Sequence, residues 1–496
     1  MTSSIPETHF KSRFGDKEYY FKLSLYNTEG QVVGLKKNAL RHLEIIDNIF
    51  NPFHSGSIIV TNDSNILERS FTPYTFLGNG RDFLEVEIIP VVTGDFDSDI
   101  TNATVRKVLG LCFVFIVTET VELLYNNSLC KKLKFVEYGQ YLINERYTTP
   151  PNIAASSDAN ATNFAASTTT GDLIKRILRT VFSGGKETDD IFCVDDDKKI
   201  IFDTNSETDT NIKIYGSTPL NQTLNYAINA HTDTQGSPCI LQFDRGLKKF
   251  KLQSLNRIFK NHAQAKSLVE TLVFPSTDSK QQSNINFNYC VHTFKESLIN
   301  EFFTESPTAI YGIDLLASET IASFSRQYNT FIYDTKSLNK QNFIETYFNL
   351  FCKPFESLFP NYGIVPNFYL NPERTNQTTV ESAHTANLSK KISTNQKLKA
   401  MLFLGYIYKF KLTGLTNRQS TLFCDVIRND KSSDSIDTGT WDKNTLGRHL
   451  VTTVRHIFTQ DLYINEIETV KPYRLTNQGT QLGDFLKSAS SILNTF

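Results

Sequence analysis

The stretch LCFVFIVTETVELLYNNSLCKKLKFVEY, Leu111–Tyr138, has the character of a long β-hairpin. A β-rich strand leads into a short polar turn, and a second strand runs from it towards a tyrosine. The stretch LVTTVRHIFTQDLYINEIETVKPY, Leu450–Tyr473, has the same layout near the other end of the chain. Similar β-modules at both ends suggest internal duplication, and duplicated barrels suit an assembly part better than an active site. The expectation is that the two hairpins occupy equivalent places in two modules of one chain.

Working outward from the first hairpin, Tyr19–Tyr26, His42–Ile46, Ser57–Thr61 and Leu84–Pro90 read as further strands. In Leu84–Pro90, Leu84, Val86 and Ile88 alternate with Glu85 and Glu87, the period of a half-buried strand. Asn51–Gly56, with Pro52 and Gly56, reads as a turn. With few helix signals between these strands, a small barrel or sandwich is the natural closure, because closure removes exposed edges. Residues 1–146 therefore form a first β-barrel domain. Residues 147–170 are rich in Ser, Thr, Ala and Asn and read as a linker.

Residues 171–260 form a mixed helix and hairpin domain. A helix over Gly171–Phe182 collects Leu173, Ile174, Ile177, Leu178, Val181 and Phe182 on one face. A second starts at Ser217-Thr218-Pro219 and ends at Ala230, and a hairpin joins Ile240–Phe243 to Lys249–Leu252. Residues 261–400 are a mixed insertion or middle domain, with a strand over Ile321–Tyr333 and a helix over Asn342–Phe351. Residues 401–475 return to β structure as a second barrel domain, in which Tyr406, Tyr408, Phe410 and Leu412 alternate with Lys409 and Lys411. Residues 476–496 form a tail. The fold class is β-rich α+β: two similar antiparallel β-barrels flanking a mixed α/β middle.

Composition narrows the function. The 496 residues carry 51 Lys and Arg against 52 Asp and Glu, which lacks the basic excess of a nucleic-acid binder. Phe is abundant, 38 residues against one Trp, and favours pleated, half-buried surfaces. The seven cysteines include no CxxC pair, so free thiols are expected rather than a disulfide framework or a zinc knuckle. The N-terminus lacks an apolar signal core, and no apolar run approaches the ~20 residues of a membrane span.

Catalytic chemistry finds no purchase in the pattern. Asp95, Asp97 and Asp99 open like a calcium loop, but Ile100 and Arg106 stand where that loop needs Gly and Glu, so a solvated turn is expected. Asp195-Asp196-Asp197 reads as a charged turn tip. His449 and His456 lie seven positions apart in one strand, which places them on opposite faces and argues against a shared metal. No metalloprotease HExxH, nucleophile elbow or phosphate loop is present. Catalytic residues, cofactors and metals are all expected to be none.

Four passages carry a family resemblance. They are His42–Glu68, the Leu111–Tyr138 hairpin, the helix–helix–hairpin run of residues 171–254, and Phe410–Ile427 leading into Gly447–Tyr473. In this order they resemble the central baseplate hub of contractile-tailed bacteriophages, a family similar to the base of type VI secretion spikes. The resemblance implies a non-enzymatic homotrimer located in the virion and assembled in the host cytoplasm. Two barrels per chain would present six around a lumen. The implied role is a symmetry adaptor between a sixfold tail tube and a threefold central spike. The implied partners are the tube or its initiator, the spike, neighbouring baseplate proteins and the tape measure. A tail-associated peptidoglycan hydrolase and a receptor-binding tail protein are the alternatives. Phe50, Pro52 and Phe53 are the candidate interface residues, as aromatics around an exposed turn.

Overall fold

In the computed structural model, the described residues are 9–26, 32–61, 82–102, 104–149, 161–163, 167–182, 200–203, 207–208, 211–213, 219–233, 238–244, 249–255, 257–258, 270–274, 288–293, 309–315, 328–334, 395, 399, 406–428 and 447–471. Asp195–Asp197, the Asn342–Phe351 helix and the tail fall outside them. Among the described residues, no helix is long and apolar enough to cross a membrane.

The chain is β-rich with few helices, and one large sheet, antiparallel but for one strand pair, dominates it. Its first half is built from β1 (His9–Phe14), β2 (Lys17–Tyr26), β3 (Val32–Gly34), β4 (Leu40–Asn48), β5 (Asn51–Thr61), β6 (Phe83–Pro90), β7 (Leu111–Tyr125) and β8 (Ser128–Glu137). The apolar faces of these strands meet in one core that includes Phe21, Leu23, Leu43, Ile58, Val86, Phe113, Phe115 and Phe135. Here Asn51–Gly56 is not the expected turn but the start of β5. Pro52 is tolerated because it lies at the beginning of a strand. Gly56 serves close approach instead of reversal, since a Cβ there would lie 1.9 Å from the Glu44 backbone oxygen.

The Asp95–Asp99 stretch also departs from expectation. It forms a short helix, α1 (Phe96–Thr101), capped by the Asp95 side chain, which accepts from the Ser98 N–H. Asp99 is fully buried, not solvated, and its carboxylate accepts from the N–H groups of Val92 and Thr93 and from the Thr93 hydroxyl. Three acceptor contacts replace the water a buried carboxylate loses.

A middle body follows α2 (Tyr138–Asn144). It contains α3 (Thr170–Phe182), α4 (Leu220–Ala230) and a three-stranded sheet of β9 (Ile200–Asp203), β10 (Cys239–Asp244) and β11 (Lys249–Ser254), with β11 central. The helical face read from the sequence is the buried one: Leu173, Ile174, Ile177 and Leu178 are fully enclosed in this second core. Pro219 is the N-cap of α4 and lies just outside its first turn. Within the former linker, Tyr147–Thr149 pairs in parallel with Ala161–Asn163. Tyr328–Asp334 overlaps the expected Ile321–Tyr333 strand, whose first part lies outside the described residues, and pairs with Ala309–Leu315.

The rest of the large sheet comes from β12 (Glu270–Phe274), β13 (Asn288–Thr293), β14 (Tyr406–Thr413), β15 (Phe423–Arg428), β16 (Gly447–Thr459) and β17 (Tyr463–Lys471). The two halves repeat one plan. Neighbours run β2-β6-β7-β8-β5-β4 in the first and β12-β15-β16-β17-β14-β13 in the second. Taken in chain order, the six strands of each half occupy the same places. One difference stands out: β2 is antiparallel to β6, whereas β12 is parallel to β15.

Register agrees as well. Ile116↔Val136 corresponds to Leu450↔Val470, Glu119↔Lys134 to Thr453↔Glu468, and Leu124↔Leu129 to Phe458↔Tyr463, always with the same difference in residue number. Each hairpin has a one-residue bulge at the same position, Thr118 in β7 and Thr452 in β16. The Val117 N–H donates to the Asp82 oxygen, and the Val451 N–H likewise to that of Leu422. In each case the next residue, Phe83 or Phe423, begins the pairing with the hairpin. The bulge also resets the alternation between His449 and His456, so their spacing does not separate them as expected, and both are buried.

Among the described residues, the strand pairs do not close each half separately. Edge strand β4 of the first half pairs along β16 of the second, from Thr453↔Asn48 to Thr459↔His42. One continuous sheet results, and the seam between its halves is where distant parts of the chain meet.

Candidate functional site

The seam is held by a buried polar network. Asp47, near the end of β4, accepts from the Ser420 N–H at 2.6 Å and the Ser420 hydroxyl at 2.9 Å, across 373 positions of sequence. His54 on β5 lies between two carboxylates, with Nδ1 3.4 Å from Glu137 and Nε2 3.9 Å from Asp47. Glu137 is fully buried and also accepts the His54 backbone N–H at 2.7 Å. Such carboxylates are tolerated inside because each has charged or N–H partners.

Arg418 organises the other side of the seam. Its guanidinium donates Nε and Nη2 to Glu270 at 3.0 and 2.6 Å, and Nη1 to the Asn465 side-chain oxygen at 2.7 Å and to the Thr413 carbonyl. A planar fork serves all of these acceptors at once, which a lysine cannot do. Asn465 Oδ1 also accepts from the Leu415 N–H, so its amide is oriented with Nδ2 facing His456 Nδ1 at 3.0 Å. An amide nitrogen only donates, so Nδ1 is the acceptor and the imidazole proton sits on Nε2. Tyr463 OH lies 2.9 Å from the same Nδ1. Burial, and after it the electrostatics of His54 and of the Arg418 guanidinium, lowers His456 to about 3. The ring is therefore a neutral acceptor at physiological pH.

Aromatic packing completes the seam. Phe458 and Tyr463 stack at 3.9 Å, and β1 and β2 of the first half cover them: Phe21 meets Phe458 at 5.4 Å and Tyr19 meets Tyr463 at 5.4 Å. Tyr19 OH donates to the Gly414 carbonyl at 3.3 Å. Gly414 has no room for a side chain, because a Cβ would fall 2.2 Å from the Tyr463 ring. Burial raises Tyr19 to about 12 and Tyr463 well above the usual phenol value. A cavity of about 240 Å³ opens onto this network between Asp47, His54, Arg418 and His456. The carboxylates and guanidinium here are matched to each other and to backbone groups, an arrangement that fixes two halves of a sheet in register. Among the described residues, no group of three His, Cys, Asp or Glu side chains could hold a metal ion.

The sequence-derived interface residues lie nearby but do not act alike. Phe50, in the tight β4–β5 turn, is 38% exposed, while Phe53 is turned inward against Phe182 and Phe250. Phe50, Pro52 and Phe53 nevertheless line one open cavity of about 540 Å³ together with α4 residues and Lys399. Lys399 donates to the Asn229 side-chain oxygen at 2.8 Å, and burial lowers its ammonium to about 8. Asp47, His54, Glu137, Arg418 and Asn465 had no local sequence signal, since each is an ordinary polar residue whose partner is distant in the chain.

The fold and seam thus define one large sheet whose two halves repeat a strand order and join edge to edge, with a mixed body between them in sequence. No family model and no curated protein matches the chain. Among solved structures, it is similar to a tail protein from Neisseria meningitidis MC58, at 11% identity and a TM-score of 0.44, covering 91% of this chain and 96% of that one. It is similar to the 43 kDa tail protein of prophage MuSo2 from Shewanella oneidensis, at 11% identity and a TM-score of 0.44, covering 91% and 98%. It is also similar to the E. coli c3393 protein, a type VI secretion system component with structural similarity to the T4 bacteriophage tail proteins gp27 and gp5, at 11% identity and a TM-score of 0.35, covering 88% and 76%.

Proposed function

We propose that this chain is the central hub of a contractile-tail baseplate, a homotrimer that adapts a sixfold tail tube to a threefold spike. The observation that supports this most directly is the repeated strand plan, β2-β6-β7-β8-β5-β4 against β12-β15-β16-β17-β14-β13, with identical hairpin register. A chain with two equivalent modules can place six similar modules around a threefold axis, and heterologous contacts that close on a fixed rotation form a ring. On this reading the second module draws β12 and β13 from the 261–400 segment in addition to residues 401–475. Phe50, Pro52 and Phe53 belong to a contact surface for another tail component, and the protein resides in the virion.

The seam supports a structural role. Its charged groups hold the modules in register, and an adaptor needs that angle to be rigid. The mass of the purified full chain, measured by light scattering, tests the proposal. Three copies per particle are expected, alone or on addition of its spike protein. A monomer at every concentration, with and without that spike, overturns it.

A further inference from the structure

The two hairpin tips share a backbone but not an environment. In β16, the edge is taken first by β15, which pairs with Gly447–Leu450, and then by β4, which pairs with Thr453–Thr459. In β7, the corresponding first part pairs with β6 over Leu111–Ile116. Among the described residues, no strand pairs with the same edge of Glu119–Tyr125. Side chains follow the backbone. Phe458 and Tyr463 are 0% and 3% exposed beneath β1 and β2, whereas their counterparts Leu124 and Leu129 are 77% and 49% exposed, next to Val121 at 40%. A cross-strand apolar pair left in water beside an open strand edge is both an interaction surface and a template for strand addition.

We infer that this edge and the Leu124–Leu129 tip are covered by the second module of another copy of this chain, with β13 of that copy pairing along β7. The inference rests on the trimeric reading and names the contact that would close it. The first module supplies β4 to the second module's hairpin, so the second module, which repeats its plan, holds β13 in the place of β4 at the end of its strand order. Among the described residues, β13 pairs with β14 alone, which leaves its outer edge to pair with another strand. Carrying the in-chain register across sets the alignment. Phe458↔Leu43 becomes Leu124 opposite Tyr289 of the second copy, and His456↔Ile45 becomes Glu122 opposite Val291 of the second copy. The pairing is antiparallel, as in the β4–β16 seam.

Opposed residues in antiparallel strands have Cα atoms about 4.5–5.5 Å apart, within the range a disulfide spans. The test is therefore a Leu124→Cys/Tyr289→Cys double variant of the full chain, oxidised and run without reductant, beside Leu124→Cys alone. The single variant keeps the native Cys290 one register position away, so it controls for loose proximity. The double variant is expected to give covalent multimers at least ~10-fold more abundant than the single variant, with Leu124→Asp/Leu129→Asp associating at least ~10-fold more weakly and keeping its circular dichroism. If the wild type is trimeric, yet the double variant does not cross-link and the aspartate variant assembles normally, this contact is wrong and the hub reading stands. Cross-linking in particles that are not trimers supports the contact and overturns the trimer. A wild type that stays monomeric with and without its spike protein, and a double variant that does not cross-link under either condition, overturn both.

Discussion

The hairpin tips at Leu124–Leu129 and Phe458–Tyr463 occupy equivalent places, and only the second is buried within its own chain. Both halves have the same ladder and bulge, and their side chains differ. The buried tip has large aromatics packed on Phe14, Tyr19 and Phe21, while the exposed tip has leucines that can shed water on another surface. A repeated backbone does not fix the energetics of the repeat; what packs against it does.

The largest effect should come from the buried tip. Phe458→Ala removes a fully enclosed ring from the seam and is expected to cost about 3–5 kcal/mol in chemical denaturation. A cost under ~1 kcal/mol would mean that the first module does not pack on it. Arg418→Ala should follow at about 2–3 kcal/mol, because Glu270 and the Asn465 oxygen lose their charged donor. Arg418→Lys should recover little of it, since a point charge cannot span those acceptors.

The seam also carries a pH signature. His456 is held at about 3 in the folded chain, below the ordinary histidine value of about 6.5. Above pH ~6.5 both folded and unfolded states are neutral at this ring, and the imidazole contributes its full share. Between ~6.5 and ~3 the unfolded state takes up a proton that the folded state refuses, so stability falls by ~1.4 kcal/mol per pH unit. His456→Gln removes that dependence. The stability gap between wild type and variant should therefore narrow by about 2 kcal/mol from pH 7 to pH 5. An unchanged gap would place the ring in contact with water. The smallest effect belongs to the exposed tip: Leu124→Ala should stay within ~0.5 kcal/mol in the dissociated chain and weaken assembly instead.

Local reading of the sequence succeeded where pattern and structure share a length scale. The Leu111–Tyr138 hairpin, the apolar face of α3 and the β10–β11 hairpin all depend on neighbours within a few residues. It failed at Asn51–Gly56, where proline and glycine mark a strand start and a close approach to Glu44 rather than a turn. It failed again at Asp99, whose carboxylate is buried against the N–H groups of Val92 and Thr93 where a solvated turn was expected. The bulge at Thr452 left no trace in hydropathy, so the faces of His449 and His456 could not be assigned from spacing.

Strand character, the helical face and the echo between two hairpins were properties of the amino-acid order, because burial periodicity and turn chemistry act over a few residues. The joining of β4 to β16, the Asp47–Ser420 and Arg418–Glu270 contacts, and the difference between a covered and an open tip were decided only by the tertiary fold. Those pairings join residues as many as hundreds of positions apart. No local propensity specifies them; they form because the assembled sheet brings the edges and buried charges together.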